Sequence, residues 1–161
     1  MIKIVNIVMK FELTTSFDFE SVRKFHPDFM FGESKFSGGI LKFGKISLLI
    51  FRNGKINITG ITCIKQAFTH LKILQQNFPF EILTAKVVNM TASTCIKKYF
   101  NFWIFCQNKD VFYEPELFPA AYWTQNKIKI ILFHTGKVII TGGKSKNEIK
   151  KAYKVFMDKF N

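Results

Sequence analysis

Three histidines, three cysteines and one glycine-lysine-serine turn are the residues of this chain best suited to chemistry, and their spacing limits what they can do. His26, His70 and His134 are scattered, and none has a cysteine or carboxylate at a recognisable catalytic or metal-ligating interval. Cys63, Cys95 and Cys106 are odd in number and form no C-x-x-C pair, so neither a disulfide framework nor a zinc site is expected, and a reducing compartment is. The GGKS run at Gly142 to Ser145 lies between a strand-like and a helix-like segment, which is the setting of a phosphate-binding loop. That loop needs a glycine five residues before its second glycine, where this chain has Val138. The sequence therefore points to no enzyme class, no metal and no cofactor.

What remains is charge and aromatic surface. Lys and Arg number 24 against 11 Asp and Glu, a formal charge of +13 on 161 residues, and Phe occurs 20 times. An excess of that size calls for a polyanionic partner, nucleic acid or an acidic membrane surface. The 48% hydrophobic content is enough for a sizeable core. The N-terminal apolar stretch is broken by Lys3, Lys10 and Glu12 and reads as a strand rather than a signal peptide, and no apolar run approaches the roughly 18 residues of a spanning helix.

Two copies of one unit supply the elements that would position such a surface. KISLLIFRNGKINITG, ending at Gly60, matches KIKIILFHTGKVIITG, ending at Gly142, with Phe51 and Phe133, Gly54 and Gly136, Lys55 and Lys137, and Thr59 and Thr141 all 82 apart. Upstream, Asn6 and Asn89 are 83 apart and Phe36 and Phe118 are 82 apart. The organisation expected is a first repeat over 1–78 and a second over 79–161, continuous in one domain, with Pro79 stopping a helix at the joint. In each copy two β-rich runs flank RNGK or HTGK, a hairpin whose glycine takes a left-handed backbone angle. Alternation puts Lys55, Asn57 and Thr59 on one face of the last strand and Ile56 and Ile58 on the other. Lys137, Ile139 and Thr141 repeat the first pattern, and Val138 and Ile140 the second. SKNEIKKAYKVFMDKF reads as a helix capped by Ser145, with Ile149, Tyr153, Phe156 and Phe160 inward and its lysines outward. ITCIKQAFTHLKILQQNF is its partner, with Ile64, Phe68, Leu71 and Leu74 inward.

YEPELFP at Tyr113 to Pro119, the two glycine-lysine hairpins and the VN pairs at Asn6 and Asn89 resemble the core of the TATA-binding protein family, over nearly the whole chain. The resemblance implies an α+β fold, a pseudo-twofold duplicated saddle of about ten antiparallel strands with helices on the convex side and DNA on the concave one. It implies minor-groove binding with aromatic wedges between base steps, a role that falls on Phe36, Phe51, Phe118 and Phe133. Asn6 and Asn89 take the central pair of asparagines that bond the acceptors of the groove floor, with Val8, Thr91, Thr59 and Thr141 as further groove contacts. Lys42, Lys45, Lys55, Lys127 and Lys137 stand at the basic phosphate contacts. Glu114, Glu116 and Leu117 match the docking site for transcription factor IIB, and the lysine-rich last helix resembles a surface that meets factor IIA or regulators.

The chain also departs from the family pattern. Asn57 stands where the family has an apolar groove-facing residue, and Thr91 replaces the counterpart of Val8, so the apolar floor that excludes G·C pairs is weakened in each repeat. The functional expectation is a general transcription initiation factor that binds and bends A·T-rich promoter DNA in a nucleus, an endosymbiont nucleus or a viral compartment, without a membrane. The alternatives are a diverged regulator or repressor acting mainly through protein contacts, and a nonspecific single-strand binder.

Overall fold

The computed structural model describes residues 1–32, 35–96 and 100–160. The chain divides into two compact units, residues 6–88 and residues 89–161 together with 1–5. Its elements are β1 (Lys3–Leu13), α1 (Phe19–Phe25), β2 (Gly39–Phe43), β3 (Ile46–Ile50), β4 (Lys55–Ile61), α2 (Ile64–Gln75), β5 (Ile82–Cys95), α3 (Phe102–Cys106), β6 (Val111–Phe112), β7 (Ala120–Gln125), β8 (Ile128–Phe133), β9 (Lys137–Gly143) and α4 (Lys146–Phe160). The N-terminal unit has the strand order β2-β3-β4-β1, and the C-terminal unit the order β5-β9-β8-β7-β6; the ladders between these neighbours are antiparallel.

In β3, β4, β8 and β9 apolar residues at alternate positions are buried, and that side is the core. Leu48, Ile50, Ile56 and Ile58 are fully buried in the N-terminal unit, and Ile130, Leu132, Val138 and Ile140 in the C-terminal one. Burying one such side chain contributes about 1.5–3 kcal/mol, so a slip of one residue in any of these strands is strongly disfavoured. The helices cover this side, α2 against β4 and α4 against β8 and β9. Ser145 caps α4, accepting from the Glu148 amide at 3.2 Å, while the Glu148 carboxylate accepts from the Lys144 amide at 2.9 Å.

One expectation needs correction. In α2 the buried stripe is Ala67, Leu71 and Leu74, whereas Ile64 is 45% and Phe68 37% exposed. The small Ala67 is fully buried, and Phe68, partly exposed, meets the buried Phe11 ring edge-on at 5.5 Å. The nine strands among the described residues accord with the expected antiparallel sheet of about ten. β6 pairs β7 through Val111 with Trp123 and Phe112 with Tyr122. The equivalent of the second pair, 82 residues earlier, is Met30 with Ile40, which forms only an isolated bridge. There Phe29 turns inward, buried against Phe19 with its ring in the space that a side chain on Gly39 would occupy. The backbone accordingly leaves the ladder after one pairing.

Candidate nucleic-acid interface

The side of each sheet opposite the helices is half-exposed, and its geometry is set by a bulge repeated in the two units. Between β1 and β4 the register shifts between Ile7 and Met9, and between β5 and β9 it shifts between Met90 and Ala92. The extra residue falls at Gly60 in one unit and Gly142 in the other, with φ of +84° and +99°. A methyl group on Gly60 would come within 1.9 Å of the Lys45 carbonyl oxygen, and one on Gly142 within 2.2 Å of that of Lys127. Only glycine fits both the backbone angle and the approach of the preceding turn.

The bulge frees an amide from the ladder, and an asparagine takes it. Gly60 N–H donates to Asn6 Oδ1 at 2.8 Å, and Gly142 N–H donates to Asn89 Oδ1 at 2.8 Å. A backbone N–H can only donate, so the oxygen of each carboxamide is fixed toward the sheet and its NH2 group is oriented by default. The Thr59 hydroxyl lies 3.5 Å from Asn6 Oδ1. In the C-terminal unit Asn89 Nδ2 donates one of its two hydrogens to Thr141 Oγ1 at 3.2 Å, and the Thr141 and Thr91 hydroxyls are 3.0 Å apart. Val8, the counterpart of Thr91, is half-exposed beside Asn6 and makes no such bond.

The four phenylalanines come together as two pairs, one per unit. Phe36 and Phe51 meet edge to face with centroids 5.6 Å apart at 68°, and Phe118 and Phe133 with centroids 6.1 Å apart at 63°. None belongs to the buried core, and Phe118 is 44% exposed. Gly38 makes room for the first pair, since a methyl group there would come within 2.8 Å of the Phe36 ring. Phe51 and Phe133 both precede the hairpin turn, where Gly54 (φ +79°) and Gly136 (φ +82°) return an amide to the carbonyl oxygens of Phe51 and Phe133 at 3.1 and 2.9 Å.

The five lysines are all exposed. Lys42 lies on β2, Lys45 and Lys127 in the turns after β2 and β7, and Lys55 and Lys137 at the starts of β4 and β9. Lys127 holds φ +69°, rare for a residue with a side chain. Glu114, Glu116 and Leu117 are exposed in the segment before β7, where the Leu117 and Phe118 amides both donate to the Glu114 carbonyl, at 3.1 and 2.9 Å. Leu117 is 79% exposed.

Sequence reasoning missed several residues on the same face. Leu49 and Ile131 lie beside Asn57 and Ile139 in the ladders, and Lys129 sits over the Tyr122 ring at 4.1 Å. The signal was alternation in β3 and β8, where Ser47, Leu49, Lys129 and Ile131 interleave with buried isoleucines and leucines. A run such as ISLLI, apolar at four of its five positions, conceals which side faces out.

The sequence profile of the family described as Transcription factor TFIID (or TATA-binding protein, TBP) matches residues 1–77 and 84–161. A TATA-box-binding protein of Methanocaldococcus jannaschii is 30% identical over 98% of this chain and 92% of its own length. TATA-box-binding protein 2 of Entamoeba histolytica is 28% identical over 94% of this chain and 77% of its own length. The solved structure of Methanococcus jannaschii TBP superposes with a TM-score of 0.87 at 28% identity, covering 98% of this chain and 96% of the other.

Proposed function

Since the chain belongs to the TATA-binding protein family, we propose that it is a general transcription initiation factor that binds A·T-rich promoter duplex in the minor groove and bends it. The observation that carries this reading is the twinned carboxamide. Asn6 and Asn89 are each held through the oxygen by a bulge amide on the half-exposed side of their own unit's sheet, which leaves the NH2 group of Asn6 and the second NH2 hydrogen of Asn89 to donate, and the A·T minor groove offers acceptors only. Val8 and Thr59 flank Asn6 in the N-terminal unit, and Thr91 and Thr141 flank Asn89 in the C-terminal one.

Phe36 with Phe51, and Phe118 with Phe133, act as two wedges. Unstacking a base step costs a few kcal/mol, and stacking on an aromatic ring returns about 1–3 kcal/mol per base, so a pair of rings is enough to hold one kink open. Flexible steps such as TA lower the remaining expense and contribute to sequence preference. Lys42, Lys45, Lys55, Lys127 and Lys137 neutralise phosphates on either side of the groove. Glu114, Glu116 and Leu117 offer two carboxylates and an apolar anchor to a transcription factor IIB-like partner, and the lysine-rich face of α4 suits an acidic IIA-like factor.

Energy transfer across an end-labelled TATA duplex tests the wedges. The double substitution Phe118→Ala with Phe133→Ala is expected to remove much of the bend and weaken binding at least tenfold. An unchanged bend angle refutes the assignment. For the partner, Leu117→Arg is expected to leave the binary DNA complex intact in a gel shift while abolishing the supershift by a IIB-like factor.

A further inference from the structure

The two polar departures on the half-exposed face differ in what their side chains already do. Thr91 spends its hydroxyl inside the protein, 3.0 Å from Thr141 Oγ1. Asn57 does not: among the described residues its carboxamide has no hydrogen-bond partner, although the residue is half-buried. In the ladder Asn57 lies between Leu49 on β3 and Lys10 on β1, and Ile40 follows Leu49. Lys10 is engaged along its own strand, 3.5 Å from Glu12. The equivalent row of the C-terminal unit reads Ser93, Ile139, Ile131, Tyr122. One unit thus presents an amide where the other presents a branched alkyl group.

Read in the minor groove, that difference has one chemical target. A·T and T·A pairs show acceptors alone, and a G·C pair adds a single donor, the guanine N2 amine. Against Ile139 this amine is desolvated with nothing to receive it. A carboxamide oxygen receives it, and the same side chain still offers NH2 to an adenine or thymine acceptor after rotating. We infer that Asn57 is a specificity-determining residue that accepts the guanine amine, so that the N-terminal unit takes a G·C pair in its half-site while the C-terminal unit, with Ile139, takes only A·T. The inference rests on the minor-groove reading above.

The duplicated fold can bind a palindromic duplex in either direction, and this shapes the test. Binding is measured at fixed salt on a palindromic A·T duplex, on duplexes with one G·C pair walked through one half, and on duplexes with the same pair in both halves. Inosine·C, which lacks the amine, serves as control. At one position the protein is expected to bind the single G·C duplex within about threefold of the A·T parent, by turning so that Asn57 meets the guanine. It should bind the doubly substituted duplex about tenfold more weakly, and the inosine duplexes like the parent. Asn57→Ile should impose the tenfold loss on the single substitution, and Ile139→Asn should remove it from the double one. Each variant carries the residue its twin position already accommodates. A tenfold loss by the unsubstituted protein at every single position overturns the inference, as does an Asn57→Ile variant that tolerates the single G·C pair equally. Binding to no duplex at all overturns the functional reading and the inference together, whereas A·T binding with equal discrimination in both halves overturns the inference alone.

Discussion

Asn6 and Asn89 are both bonded at the oxygen, Asn89 also gives one NH2 hydrogen to Thr141, and at Asn6 the structural role can be separated from the proposed recognition role. Asn6→Asp keeps an acceptor for the Gly60 amide but replaces the NH2 donor by negative charge. Its thermal midpoint is expected to stay within a few degrees of the parent while affinity for a TATA duplex falls at least tenfold in a gel shift. Asn6→Ala orphans the Gly60 amide and should lower stability by about 1–3 kcal/mol in urea. His26 offers a second residue-scale test. Its Nε2 is buried with no hydrogen-bond partner among the described residues, and burial holds its pKa below the ordinary value of 6.5. The folded state therefore binds a proton less readily than the unfolded chain. The stability that neutral His26 permits is present above pH 6.5 and is lost as pH falls through the lower folded value. Urea titrations of His26→Leu should lack this part of the acid-side decline.

At the scale of elements, the bulges and caps decide whether the interface exists. Gly60→Ala and Gly142→Ala each force a side chain onto a left-handed angle and into a turn carbonyl. Each is expected to destabilise by at least about 3 kcal/mol, with a comparable drop in calorimetric midpoint for either. The effect should reach DNA binding because the same shift displaces the amide that orients Asn6 or Asn89. Ser145→Ala removes the cap of α4 and should lower stability by about 1 kcal/mol with DNA affinity unchanged, since α4 covers the opposite side of its sheet.

For the whole molecule the governing quantity is the charge of +13. Each phosphate neutralised releases counterion, giving a log–log salt slope of roughly −0.9 per contact. If Lys42, Lys45, Lys55, Lys127 and Lys137 all engage phosphates, they supply a slope of about −4.5, and any one Lys→Ala should flatten it by about 0.9 at every duplex sequence. A slope that is insensitive to these five and sensitive to the lysines of α4 would move the DNA to the other side of the sheets. Among the described residues no helix is long and apolar enough to cross a membrane.

Periodicity and repetition were enough to read the duplication, the hairpins with their left-handed glycines, the helix capped by Ser145 and the outward face of β4 and β9, because each follows from local sterics or from a two-residue alternation. The offset of 82 likewise paired Phe36 with Phe118 and Phe51 with Phe133 before any contact was known. Tertiary structure alone decided the rest. The buried side of α2 is the one that carries Ala67, Leu71 and Leu74, and before β2 Phe29 is buried where the backbone makes only an isolated bridge from Met30 to Ile40. That Thr91 is bonded internally and Asn57 is not depended on where Thr141 sits across the sheet. Hydrogen-bond partners dozens of residues apart are set by register and bulge, and no local pattern encodes them.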